Sequence, residues 1–329
     1  MRKLLHLIIF TSFLCQSVLS QVIDSTGKPI AEIFTDFHFN LTDTSKKTGF
    51  GLNRAYLGYQ FMPPGNLSAK IIINIGTPED LAEGSVPRRY AYCREASLTW
   101  SDDKLTVSMG ITGTRIFDFQ QRFWGKRYIA NTYQSIKGYG FVADLGLVVD
   151  YIINDIIKAD FSIMNGEGYS NIQLDNNLKT SAGLTISPSE KIAIRLYGDI
   201  QRKDGLWQPV FIGFIGFKNN LVLIGGEVSY KSNSDLINGH HIWGISTTGG
   251  INITEKMQIF GRYDYSSSVK MPGDILKWNY LNDGSFAIAG IQYTFNPDVK
   301  IALNYQGTFP NTSTKQIIDL IYLNVLFKF

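Results

Sequence analysis

Apolar and polar residues alternate with a period of two along this chain, in about 16 segments of roughly ten residues each, from residue 31 to the end. In one, Ala69, Ile71, Ile73 and Ile75 alternate with Ser68, Lys70, Ile72 and Asn74. In another, Leu105, Val107, Met109 and Ile111 alternate with Thr106, Ser108, Gly110 and Thr112, and in a third Met257, Ile259 and Tyr263 alternate with Gln258, Arg262 and Asp264. Successive side chains of a strand leave opposite faces, so each segment has one oily and one polar face. The segments are 31–40, 51–61, 66–76, 93–100, 104–112, 139–152, 156–164, 179–186, 191–200, 207–217, 221–230, 241–251, 256–265, 285–295, 299–308 and 317–329.

The connections alternate in length. Met62-Pro63-Pro64-Gly65, Ser101-Asp102-Asp103, Asn154-Asp155, Ser187-Pro188-Ser189, Lys218-Asn219-Asn220, Asn252-Ile253-Thr254-Glu255 and Asn296-Pro297 are tight turns built from residues that preset turn dihedrals or bond locally. Between them lie longer stretches at 41–50, 77–92, 113–138, 165–178, 201–206, 231–240, 266–284 and 309–316. The fold class expected is therefore all-β: a transmembrane antiparallel β-barrel of about 16 strands, with short periplasmic turns and long extracellular loops. The polar set must face inward, because a charge on the lipid face costs a few kcal/mol at mid-bilayer. Tyr59, Phe61, Trp100, Tyr151, Tyr265 and Phe295 near strand ends suit aromatic girdles. A wall this wide does not fill its interior with its own side chains, so an aqueous passage is implied.

Composition agrees. Only 18% of residues are charged while 13% are aromatic, and no later run of about 18 apolar residues exists for a membrane helix. A net charge of +3 gives no nucleic-acid footprint, and no nucleic-acid partner is expected. Met1-Arg2-Lys3, the apolar Leu4 to Leu14 and Val18-Leu19-Ser20 read as a signal peptide over 1–20, leaving 21–329 as the barrel. Cys93 then stands alone, so no internal disulfide is expected. The end at Phe329 looks like the closing strand of a bacterial outer-membrane barrel, which makes the barrel-assembly machinery an expected partner beside outer-membrane lipid and lipopolysaccharide.

Residues 113–138 hold Arg115, Arg122, Lys126, Arg127 and Lys137 against the single acid Asp118, interleaved with Phe117, Phe119, Phe123, Trp124 and Tyr128. Folded into the lumen, such a loop buries its aromatics on the wall and lines a constriction with cations, as pores that favour anions do. The constriction candidates are Arg115, Arg122, Lys126 and Arg127. The other reading pairs these cations with wall carboxylates such as Asp144, Asp150 and Asp160, or with lipopolysaccharide outside. Basic candidates for the lumen and mouth are Arg54, Lys70, Arg88, Arg89, Arg195 and Arg262, with Arg94, Lys158 and Lys300 beside them. Glu32, Asp36, Glu95, Asp144, Asp160, Asp199, Glu227 and Asp264 also read as inward, so cross-strand ion pairs are the alternative to a basic track. His38, and the pair His240-His241, lack ligand-spaced partners or a serine motif. No catalytic residue, metal or cofactor is expected.

Phe50-Gly-Leu-Asn-Arg-Ala-Tyr-Leu-Gly-Tyr-Gln60, Arg94-Glu-Ala-Ser-Leu-Thr-Trp-Ser-Asp-Asp-Lys-Leu105, Met109-Gly110, Phe123-Trp124-Gly125 and the terminal Phe329 resemble the phosphate-selective porin O/P family in its Bacteroidetes-type form. The resemblance implies a trimeric 16-stranded porin constricted by the loop after the fifth strand. The function expected is passive diffusion of small hydrophilic solutes, with small anions such as phosphate preferred. The alternative is a structural or adhesive barrel whose lumen is plugged and whose surface loops bind a partner.

Overall fold

Strands with a mainly apolar outer face and a mainly polar inner one bury neither set by stacking, but a closed cylinder separates them and leaves no unpaired edge. The computed structural model, which describes residues 26–42, 48–76, 89–173 and 175–329, closes in this way. Its strands are β1 (Thr26–Asn40), β2 (Gly49–Met62), β3 (Leu67–Gly76), β4 (Tyr90–Ser101), β5 (Leu105–Gly113), β6 (Ala143–Ile152), β7 (Ile157–Met164) and β8 (Lys179–Ser189). There follow β9 (Ile192–Lys203), β10 (Leu206–Lys218), β11 (Val222–Lys231), β12 (Ile242–Asn252), β13 (Met257–Ser268), β14 (Gly284–Asn296), β15 (Val299–Pro310) and β16 (Ile318–Lys328). Each pairs antiparallel with its sequence neighbours, and β1 meets β16 in the register Glu32 to Lys328 through Asn40 to Leu320. The terminal Phe329 completes that seam, its N–H donating to the Ala31 carbonyl at 3.0 Å.

The oily faces point outward. Ile71, Met109 and Ile215 are 51%, 68% and 59% exposed, and exposed large apolar residues recur on every strand but β8. An apolar surface that encircles the molecule suits a bilayer, not water. The short turns repeat one device: the Oδ1 of Asn154, Asn219 and Asn296 each accepts the backbone N–H groups two and three residues on, at 2.7–3.0 Å.

Several boundaries differ from the sequence reading: β1 starts at Thr26 and β4 at Tyr90, and β8 runs through Ser187-Pro188-Ser189, expected as a turn; two further differences have a local cause. The stretch 201–206 is not a long loop: β9 and β10 are joined by Asp204 and Gly205 alone, at φ of 48° and 84°. Asp-Gly is a preferred pair for a two-residue turn that needs two positive φ values. The sixth strand starts at Ala143 and not at Tyr139, because Tyr139, 1% exposed, is drawn into the packing of the preceding loop. The signal-peptide segment and Arg88 lie outside the described residues.

Candidate functional site

The segment 114–142 leaves β5 and folds into the barrel. It carries two short helices, α1 (Asp118–Trp124) and α2 (Tyr133–Ile136). In α1, Asp118 sits in the first turn, Arg122 in the last, and Gly125 ends the helix at φ 68°. Helices this short are not stable alone, so packing must hold them. Trp124, Tyr128 and Ile129 bury against the inward residues Phe34, Tyr56, Phe260, Ile288, Ala302 and Leu326. Ile116, Phe117, Tyr133 and Tyr139 bury against Tyr197, Val210, Ile212 and Ile242. The loop therefore spans the lumen, touching the β13–β2 side and the β9–β12 side.

Glycines in the wall make room for it. Gly216 and Gly225 are register partners on β10 and β11, and Phe123 lies over both. A Cβ on Gly216 would come within 2.5 Å of the Phe123 ring. Phe119 and Phe123 also meet Phe214 edge-on, with centroids 5.6 and 5.0 Å apart. Gly216→Val is expected to expel Phe123, to cost about 1–3 kcal/mol as an overpacked site does, and to speed protease cleavage within 114–142.

Polar anchors complete the docking. Tyr128 donates to Gln292 Oε1 at 2.9 Å, Gln134 Nε2 to Glu227 Oε2 at 2.7 Å, Lys231 Nζ to the Gly138 carbonyl at 2.8 Å, and Gln306 Nε2 to the Ile129 carbonyl at 3.3 Å. Burial raises the hydroxyl pKa of Tyr128, Tyr133 and Tyr139, so all three are neutral donors.

The sequence candidates fall into different surroundings. Arg115 grips Asp150 with two nitrogens, at 2.9 and 2.7 Å; burial opposes its charge, but the Asp150 bond and charge outweigh that and raise its pKa. Arg195 binds Asp160 and donates to the Arg115 carbonyl at 3.1 Å. Asp150 and Asp160 are direct cross-strand partners, an arrangement that repels unless neutralised, and the two arginines neutralise it. Arg262 is fully buried against Asp264, and Lys70 bonds Glu95 at 2.9 Å. Arg122 is exposed and pairs with Asp118 of its own helix. Arg89 is exposed at the foot of β4. Lys126, 3% exposed, lies 5.2 Å from the Phe260 ring centroid, and burial, with Lys300 and Lys218 adding to it, lowers its pKa to about 7.

Arg127 is set apart from these. Its Nε and Nη2 are buried with no hydrogen-bond partner among the described residues, and its guanidinium stands 5.8 Å from the Tyr56 ring centroid. Burial lowers its pKa to about 10, and the neighbouring Arg54 and Arg94 push the same way. Arg94 approaches the same ring at 5.6 Å, and its charge and that of Arg127 act on the buried Tyr56 hydroxyl. Beside Arg127 a cavity of about 320 Å³ is lined by Arg54, Asn53, Asn131, Gln306 and Tyr322.

Two β-bulges build this corner, and strict alternation hid them. The β1–β2 register skips Asn53, so Asn53 reaches inward to Asp36 Oδ2 at 2.7 Å while Arg54 also lines the cavity. The β3–β4 register skips Arg94, leaving Arg94 and Glu95 both on the lumen side. Bulges re-aim side chains in this way next to sites. Tyr56 was missed as well; an aromatic two residues after Arg54, on the polar face, was the available signal. Inward Lys158 on β7 is exposed, and the side chains of Lys70 on β3 and Asp150 on β6 keep 32% and 37% exposure, so solvent reaches these parts of the inner wall. Among the described residues no group of three or more His, Cys, Asp or Glu is placed to hold a metal ion.

No family model matches the chain, and no curated protein matches it in sequence. Solved structures do share the fold. The chain is similar to the outer-membrane expressed OmpT of Vibrio cholerae, at 13% identity over 93% of this chain and 98% of that one, with a TM-score of 0.66. It is similar also to Salmonella typhi OmpF in complex with daunomycin, at 10% identity over 93% and 98%, TM-score 0.69. A trimer form of in-vitro folded Vibrio cholerae OmpT matches at 13% identity over 93% and 99%, TM-score 0.62. The barrel thus resembles outer-membrane proteins.

Proposed function

We propose that the protein is a bacterial outer-membrane porin, exported by the signal peptide at 1–20, that passes small hydrophilic solutes by passive diffusion and prefers anions. The observation that carries this is the loop 114–142, folded into the lumen while the inward side chains of Lys70, Asp150 and Lys158 stay open to solvent. Short turns then face the periplasm and long loops the exterior. Anion preference centres on Arg127, whose free donors are those an oxyanion would take, with Arg54 and Arg94 beside it. Arg115 and Arg195, bound to wall carboxylates, add no net charge there. Phosphate as the preferred anion, membership of the phosphate-selective O/P family and a homotrimer belong to the same reading.

The second reading, a plugged structural barrel, draws on the loop's anchorage to both sides of the wall. Single-channel recording on the refolded protein, with reversal potential under a KCl gradient, separates the two. A large conductance with chloride-favouring reversal is expected, and Arg127→Ala should shift the anion-to-cation permeability ratio toward cations by about threefold or more, as loss of one partly buried charge allows. A folded barrel that carries no current would sink the porin.

A further inference from the structure

At the long-loop end, away from Arg127, a cleft of about 830 Å³ lies between the tip of the lumen loop and the connections after β11, β13 and β15. Its two ammonium groups converge on one residue. Lys137 Nζ donates to the Asn282 carbonyl at 2.8 Å, and Lys315 Nζ to the Asn282 Oδ1, also at 2.8 Å. Among the described residues neither lysine has a carboxylate within salt-bridge distance. Each ammonium carries three donors, so donors remain for a ligand.

The acids nearby do not fill this need. Asp283 is 1% exposed and accepts from the Ser268 backbone N–H at 2.9 Å and its hydroxyl at 2.7 Å. Asp235 stands on the rim within a turn, with φ 57° and followed by Leu236 at φ 56°. Left-handed backbone at two successive non-glycine residues is strain of the kind found at ligand sites. Beside the lysines the cleft has an apolar side, formed by Ile136, Leu281, Phe309, Ile318 and Trp278, and a polar side that includes Asn279, Ser285, Thr308 and Gln316. Trp278 is held in place, its ring stacked on His240 at 4.3 Å and its Nε1 donating to the His241 carbonyl at 2.9 Å. A rigid wall lowers the ordering cost of binding.

We propose that this cleft binds an organic carboxylate with an apolar body, its carboxylate on Lys137 and Lys315 and its body along Leu281, Phe309 and Trp278. A bare inorganic anion would leave the oily wall wet, and a neutral apolar solute would leave both ammoniums unpaired. The inference goes beyond passage through the lumen, and the site stands whether or not the barrel conducts.

Titration calorimetry of the whole refolded protein in a neutral maltoside detergent tests it, with phenylacetate, acetate and phenethylammonium as probes. Phenylacetate is expected to bind saturably, and acetate about tenfold or more weaker for want of apolar burial. Phenethylammonium should not bind. The double variant Lys137→Gln with Lys315→Gln should weaken phenylacetate about tenfold or more, since charge-assisted bonds are lost. Phe309→Ser should weaken phenylacetate while leaving acetate unchanged. Equal affinity for acetate and phenylacetate would overturn the proposal, as would phenylacetate binding that survives the double lysine variant, or no binding to a barrel shown folded by its unheated gel mobility. Conductance of the same preparation keeps the readings apart: current without binding removes only the cleft, and binding without current removes only the porin.

Discussion

Arg262→Met is expected to destabilise the folded barrel by about 3–5 kcal/mol, the cost of leaving a buried charge without its partner. Arg262 and Asp264 stand two residues apart on the inner face of β13, with side chains 1% and 2% exposed. Arg262 Nε donates to Asp264 Oδ1 at 2.9 Å, so removing the arginine strands a carboxylate away from water. The same guanidinium donates to the Asn131 carbonyl of the loop and lies 5.0 Å from the Trp124 ring centroid. The variant thus removes a wall ion pair and a loop clamp together. Denaturant unfolding in detergent should show the loss, and adding Asp264→Asn should restore part of it, because the orphaned charge goes too. Channel recordings should show larger and noisier conductance as the loop loosens. Unchanged stability in Arg262→Met would mean that water reaches Asp264.

The second expected result is a fall in anion preference as pH rises through about 7, set by Lys126. Burial lowers its pKa to about 7, and the charges of Lys300 and Lys218 add to the effect. By simple titration it is about nine-tenths charged one unit below that value and about one-tenth one unit above. Reversal potentials should therefore favour chloride more at pH 6 than at pH 8, and Lys126→Gln should flatten the difference. The stability consequence has a definite sign. Unfolded, Lys126 titrates near 10.5, so between about 7 and 10.5 the unfolded chain holds the extra proton. Stability consequently rises with pH across that window and is independent of this residue below it. Lys126→Gln should remove that slope, and a slope that persists would assign it elsewhere.

Much of the wall was legible because a period of two needs only neighbours in sequence: Ile71, Ile73 and Ile75 announce their face without reference to any other strand. Turn chemistry was equally local at Asn154 and Asn296. Asp204-Gly205 was local too, but it was read as part of a longer loop because polar residues flank it on strands that extend past the membrane band. What alternation could not reveal was the extra residue in a bulge, which put Arg94 and Asn53 on the lumen side. Nor could it show which cations are neutralised. Arg115 and Asp150 lie 35 residues apart, as do Arg195 and Asp160, and only the fold shows that each pair meets. Arg127 resembles its neighbours in sequence; that no carboxylate of the described residues pairs with it is a property of the space around it.

The loop's packing has a consequence for how the cylinder comes to be closed. Phe34 on the first strand and Leu326 on the last are register partners across the seam, and both belong to the cluster that receives Trp124 and Tyr128. The segment that supplies those aromatics comes early in the chain, whereas Phe260, Ile288, Ala302 and Leu326 belong to its last four strands. The loop cannot reach its native packing until β16 has met β1. Once it does, the aromatics tie the two ends of the ladder together from within, so the seam rests on side-chain burial as well as on backbone hydrogen bonds, and opening it means undoing the most distant contacts in the chain.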